Sequence, residues 1–121
     1  MTDRPHRPVV HLELHTGNLS RACAFYTRMF GWHAETVHYG AASYVALNLG
    51  DAIQGGVVEE DDDRALWIPY GRVPEIIAAV EAARRLGATT VLEPREGPTG
   101  WRAAIAPPSG ATVALWQSKL R

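Results

Sequence analysis

The stretch VVHLELHTGNLSRACAFYTRMFGW, residues 9–32, changes its period halfway, and that change decides the fold. Through Thr16, apolar Val10, Leu12 and Leu14 alternate with His11, Glu13 and His15. A period of two puts the two sets on opposite faces of a strand. From Asn18 the spacing turns helical. Ala22, Phe25, Tyr26 and Met29 recur at i, i+3, i+4 and i+7, which predicts one apolar stripe. Asn18 or Ser20 suits the N-cap, where a side-chain oxygen accepts from an orphan backbone N–H. Gly31 suits the stop, because glycine takes the left-handed C′ conformation with no Cβ to clash. A strand followed by a helix near 19–30 therefore opens the chain.

Three short runs follow, WHAETVHY, ASYVALNL and AIQGGVVE, separated by turn residues; they read as strands. Then five acids, Glu59 to Asp63, stand in a row. They repel one another and cannot enter a core, so they read as a solvated linker or, alternatively, an acidic recognition loop. Beyond them the pattern restarts. RALWIPYGRV is a strand. PEIIAAVEAARRLGA is a helix near 74–86, with Pro74 suited to its first position, Gly87 to its stop, and Ile76 or Ile77, Val80, Ala83 and Leu86 on its apolar stripe. TTVLEP, WRAAIAP and ATVALWQ are three more strands. The fold class is therefore α+β: two tandem β-α-β-β-β units in one domain over residues 1–121, the first spanning 8–60 and the second 64–118. Neither half is large enough to bury a core well alone, so the halves should associate.

Composition narrows the function. A net charge of -1 offers no basic field for nucleic acid or an anionic membrane. No apolar run approaches the roughly 20 residues of a spanning helix, and the polar start MTDRPHRP has no apolar signal-peptide core. The single cysteine, Cys23, cannot form an internal disulfide, and a cytoplasmic setting fits that. It lies near the inner stripe of the first helix and reads as an inert, packed thiol.

The order of elements, with HLELHTGNLSRACAFYTRMFGW, ARRLGA and the closing APPSGATVALWQ, resembles the vicinal oxygen chelate superfamily of glyoxalases, bleomycin-resistance proteins and dioxygenases. The first stretch is similar to the family's opening strand, helix and FYxxxFGW end. The last is similar to its DPxGxxxxLxQ finish. The resemblance covers the whole chain. It implies a curled mixed sheet with a concave cleft for a small molecule, helices on the convex faces, and a homodimer.

It also implies four metal-ligand positions in the metal-dependent members. They fall on His11, Gln54, Trp67 (or Ile68, one residue on) and Ala114. Only the first two carry a plausible donor, whereas metal enzymes usually use about three protein ligands. The strand adds a limit of its own. Same-face neighbours stand ~6.8 Å apart, so His11 and His15 are ~13.5 Å apart on a regular strand. They cannot share one ion, whose ligand bonds are about 2 Å. The expected cofactor is therefore none, with a divalent metal as the alternative.

His11, Glu13 and His15 are expected to line the cleft, with His11 and Glu13 the candidates for any catalytic role; a solvated or subunit-interface pair is the plain reading of Glu13 and His15. Trp67, Trp101 and Trp116 are candidate aromatic walls for a planar or apolar ligand, or else core packing between the halves. Tyr44 and Asn48 on the third strand and Gln54 on the fourth add polar handles. Gly55 and Gly56 permit a close backbone approach. REGPTGW, residues 95–101, is a candidate lid or an ordinary hairpin loop. Two function classes stay open: a small-molecule-binding protein with an aromatic cleft and no metal, or a metal-dependent lyase, isomerase or dioxygenase.

Overall fold

The computed structural model describes residues 6–50, 53–61 and 65–120. Among these, eight strands and two helices follow the order β1 (Val9–Thr16), α1 (Leu19–Phe30), β2 (His33–Tyr39), β3 (Ala42–Asn48), β4 (Gln54–Glu59), β5 (Leu66–Arg72), α2 (Ile76–Arg85), β6 (Thr89–Glu96), β7 (Gly100–Ala106) and β8 (Val113–Ser118). The α+β reading, β-α-β-β-β twice over, holds. The chain divides into two compact units: Val10–Pro69, and Tyr70–Arg121 together with the N-terminal residues through Val9. The boundary falls inside β5.

In the first unit the strand order is β2-β3-β4-β1. β1 runs parallel to β4, with His11 opposite Gln54 and Leu14 opposite Val57. β3 runs antiparallel to both β2 and β4. Leu14, Leu47 and Val57 form the buried centre, and Leu19, Ala22, Cys23 and Tyr26 of α1 pack on it with Trp32 and Trp67. Burying a side chain such as Leu47 contributes about 1.5–3 kcal/mol. Gly55 lies beneath this layer. A Cβ there would stand 2.6 Å from the Leu47 carbonyl oxygen and 2.7 Å from Leu49 Cγ, so only glycine fits.

α1 has the caps its sequence predicts. Asn18 Oδ1 accepts from Arg21 N at 3.0 Å, and Gly31, at φ 72, donates its N–H to the Thr27 carbonyl. The stripe is different. Phe25 and Met29 are 58% and 63% exposed, and the face turned to the sheet is Leu19, Ala22, Cys23 and Tyr26. Both sets obey helical spacing. The sheet selects the one that carries Tyr26 and the small residues, which allow the helix to approach closely.

In the second unit the order is β5-β8-β7-β6. Val73, Ile76, Val80 and Ala103 form its core, with Trp101 and Leu115 packed against them. α2 starts at Ile76 rather than at Pro74. Two side-chain acceptors fix that start: Glu75 Oε1 takes the Ile77 N–H at 3.0 Å, and Gln117 Oε1 takes the Ile76 N–H at 2.8 Å. Pro74, which has no N–H to satisfy, stands just before the cap. The helix ends in a Schellman turn around Gly87 (φ 97), where Gly87 N donates to the Arg84 carbonyl and Ala88 N to the Ala83 carbonyl. β6 and β7 are joined by a tight turn in which Gly97 N donates to the Gly100 carbonyl at 2.7 Å. Residues 95–101 are therefore a hairpin.

Candidate functional site

Strand parity builds the site. Leu14 packs under α1, so His11, Glu13 and His15 stand on the other face of β1. The register extends that face across the sheet. His11, Gln54 and Asn48 form one row, and Glu13, Gly56 and Ala46 form the next. The two adjacent glycines thus serve opposite faces. Gly55 admits Leu49 on the helix side, while a Cβ at Gly56 would stand 3.2 Å from Cε1 and Nε2 of His11. The imidazole of His11 therefore reaches across β4 over Gly56.

The side chains form a chain of four. Glu13 Oε2 lies 3.5 Å from His11 Nε2, and Glu13 Oε1 lies 2.8 Å from His15 Nε2. His15 Nδ1 lies 2.7 Å from Glu60 Oε1. Glu13 and His15 are largely buried, with side chains 12% and 16% exposed, and Glu60 is half exposed. An ionised carboxylate only accepts. Each ring nitrogen of His15 therefore meets a carboxylate oxygen. His15 is thereby fixed at both ends, and Glu13 is held between two imidazoles.

Glu60 had no place in the sequence reading of the site. Glu59 to Asp63 were expected to be a solvated linker or an acidic recognition loop; Glu59 and Glu60 are exposed but each holds a structural partner. Glu60 holds His15, and its own N–H donates to the Thr16 carbonyl. Glu59 Oε2 accepts from Leu19 N at 2.9 Å, at the N-terminus of α1, where an anion is favoured. Asp61 is exposed; Asp62 and Asp63 lie outside the described residues.

The remaining candidates separate. Trp67 was expected in the cleft. Its indole instead packs edge-on against Tyr26 and Trp32, with centroids 5.4 and 6.2 Å apart, and Nε1 donates to Tyr26 Oη at 3.2 Å. The core of the first unit takes it because an indole there buries its ring and still finds an acceptor for its N–H. Trp101 packs on the α2 core with Lys119 Nζ 5.3 Å over its ring; it faces the helix. Trp116 lies opposite Arg102, on the face away from α2, with its six-membered ring against Gly100. Asn48 shares the row of His11, but its Oδ1 accepts from Gly50 N in the turn after β3. Tyr44 is half exposed on β3. Burial pushes the Cys23 thiol above its ordinary pKa, which disfavours the nucleophilic thiolate.

A divalent metal fits this donor set poorly. His11 and Gln54 are cross-strand neighbours, but the His11 ring leans toward Gly56 and Glu13. Trp67 is committed to the core, and Ala114 ends in a methyl group. Among the described residues, no three His, Cys, Asp or Glu side chains converge as a shell.

Comparison with known proteins bears on the fold. The family model described as the Glyoxalase/Bleomycin resistance protein/Dioxygenase superfamily matches residues 9–115. No curated protein matches the sequence. Similar solved structures include a methylmalonyl-CoA epimerase in complex with methylmalonyl-CoA and NH4+, with a TM-score of 0.67 and 16% identity over 94% of this chain and 96% of that one. The methylmalonyl-CoA epimerase from Mycobacterium tuberculosis has a TM-score of 0.65 and 18% identity over 91% of this chain and 87% of that one. A hypothetical protein from Bacillus halodurans C-125 has a TM-score of 0.71 and 12% identity over 97% and 98%. Identities this low speak to fold alone. No helix among the described residues is long and apolar enough to cross a membrane.

Proposed function

This chain belongs to the Glyoxalase/Bleomycin resistance protein/Dioxygenase superfamily, and we propose that it binds a small molecule on the polar face of its first unit without a resident catalytic metal. The observation that carries this reading is the chain His11–Glu13–His15–Glu60. Recognition of a polar ligand needs acceptors and donors held still before the ligand arrives, which lowers the ordering cost of binding. Glu13 is held in that way, and His11, the most exposed of the three β1 groups, presents a ring nitrogen beside it. Gln54, opposite His11, adds a carboxamide. The aromatic contribution is smaller than the sequence implied, because Trp67 and Trp101 pack under helices.

A second reading has one observation in its favour. A carboxylate fixed between two imidazoles is the arrangement a general base needs. Glu13 would then accept a proton from a bound ligand, with His11 and His15 orienting it, as in an isomerisation. The metal-dependent lyase, isomerase or dioxygenase stays the weaker alternative, since two of its four ligand positions lack a donor. We further propose a homodimer: Phe25, Met29 and Phe30 leave an exposed apolar patch on α1 that a second copy would cover. Light scattering that returns only monomer at micromolar concentration would contradict it.

The test follows the histidine signals. Imidazole spectra of His11 and His15 are recorded while methylmalonyl-CoA and a panel of small polar metabolites are titrated in turn. A bound compound should move both rings, and His11→Ala should weaken it about tenfold, about 1.4 kcal/mol. If a compound binds and neither ring moves, the site lies elsewhere. Conversion of the compound, lost in Glu13→Gln while binding survives, would select the second reading.

A further inference from the structure

A row of cations crosses the sheet of the second unit. Arg72 on β5 is opposite Trp116 on β8, Trp116 is opposite Arg102 on β7, and Arg102 is opposite Arg95 on β6. Residues directly opposite point to the same face. That face is the one turned away from α2, because Ala103 and Leu115, the sequence neighbours of Arg102 and Trp116, pack with the α2 core. Adjacent strands stand about 4.8 Å apart, so the three guanidinium-bearing positions span roughly 14 Å around one indole.

Such a row is costly in the protein alone. Like charges directly opposite on a sheet are destabilising, and Arg95–Arg102 is such a pair. The acids of β6 do not relieve it. Glu93 is taken by Arg84 of α2, whose Nη2 donates to both carboxylate oxygens at 2.8 and 2.9 Å, and Glu96 by Lys119 at 2.7 Å. Among the described residues no ion pair involves Arg72, Arg95 or Arg102. The lone tryptophan of the row lies down on the sheet, its ring against the backbone of Gly100, where a Cβ would approach Cζ2 to 2.6 Å. At the edge of the row, Arg72 also lines a cavity of about 470 Å³ near the start of α2, with Arg7, Val73, Pro74, Gln117 and Ser118; Trp116, Arg102 and Arg95 lie outside it.

We propose that this face is a binding site for a small organic anion with a flat apolar part, such as an aryl phosphate or aryl carboxylate. The guanidinium fork accepts two oxygens of a phosphate or carboxylate at once, and the Trp116 ring offers a stacking surface beside it. The ligand's charge offsets the repulsion that the row carries when empty. The proposal rests on the register of β5, β8, β7 and β6 and does not depend on the His11 chain of the first unit.

Phenyl phosphate, benzoate, inorganic phosphate and benzyl alcohol are titrated into the protein while the Trp116 indole N–H signal is followed. The aryl anions should saturate at millimolar concentration or below. Inorganic phosphate should bind more weakly and benzyl alcohol not at all. A stronger response to phenyl phosphate than to benzoate assigns the anion as phosphate, and the reverse as carboxylate. Arg102→Gln and Arg72→Gln should each weaken the better probe about tenfold. Arg84→Gln, which breaks a pair on the helix side, should leave probe binding unchanged. Arg95→Gln should raise the melting temperature of the free protein while weakening the probe. Equal binding of benzyl alcohol and phenyl phosphate would overturn the proposal. So would unaltered binding in folded Arg102→Gln and Arg72→Gln proteins, or no saturable shift of Trp116 with either aryl anion.

Discussion

Glu60 Oε1 lies 2.7 Å from His15 Nδ1, 45 residues away in sequence, and thereby orients the ring whose other nitrogen meets Glu13. Glu60→Gln keeps the size and removes the charge. Glu60 is half exposed, so the pair should be worth little in stability, about 0.2–1 kcal/mol. Its effect should appear at the ring. The His15 ring signals should shift in Glu60→Gln, while the melting temperature drops by only a few degrees. Unmoved His15 ring signals would show that the pair does not persist in solution.

Gly55 and Gly56 are adjacent but should respond differently to alanine. At Gly55 the new methyl meets the Leu47 carbonyl oxygen at 2.6 Å, and backbone cannot step aside cheaply. Gly55→Ala should cost about 1–3 kcal/mol as overpacking, read as a lower denaturation midpoint. At Gly56 the obstruction is the His11 ring at 3.2 Å, a side chain that can turn. Gly56→Ala should leave stability nearly intact and shift the His11 resonances. Equal destabilisation by both would contradict this account.

Trp67→Phe should remove the 3.2 Å hydrogen bond to Tyr26 Oη and part of the ring contact. The expected loss is about 1–2 kcal/mol, with the His11 and His15 spectra unchanged. A stable Trp67→Phe protein that has lost ligand binding would return Trp67 to the site.

Cys23 should react slowly with thiol reagents at neutral pH, because burial raises its pKa above the ordinary 9.0. The sign for stability follows. The folded state favours the neutral thiol, so this group's contribution is present below pH 9 and is lost as pH rises through the folded pKa. Cys23→Ser should flatten the alkaline limb of the stability profile. Rapid modification in the native protein, at the rate seen in denaturant, would contradict the burial of this thiol.

Metal content gives a direct check on the donor set. Protein purified without chelator should hold well below one transition metal per chain, and EDTA should leave its melting temperature unchanged, because two-ligand sites exchange freely. A stoichiometric metal that disappears in His11→Ala would establish the metal-dependent alternative.

Local chemistry made much of this legible in the sequence. Asn18, Gly31 and Gly87 end helices through interactions within a few residues, so their roles could be read directly. The alternation in β1 placed His11, Glu13 and His15 on one face; the pairing of His11 with Gln54 came from the structure. Features set by distant partners were not legible. Glu60 looked like one acid among five, since nothing near it in sequence names His15. Trp67 and Trp101 sit in strands apolar on both faces, where parity has no anchor. Phe25 and Met29 satisfied the helical period as well as Leu19 and Cys23 did, and only the sheet distinguishes them. The row Arg72–Trp116–Arg102–Arg95 draws on four strands and emerges only from the pairing.

The N–H of Arg72 donates to the carbonyl of Pro8 at 2.9 Å, and the residues through Val9 belong to the second unit. Residues 6–9 are thus made before Val10–Pro69 yet are held by residues made after it. Val10–Pro69 is complete while that segment still lacks its partner, and the segment finds it only once β5 has emerged. A substitution that weakens this contact would therefore burden a late step of folding rather than an early one.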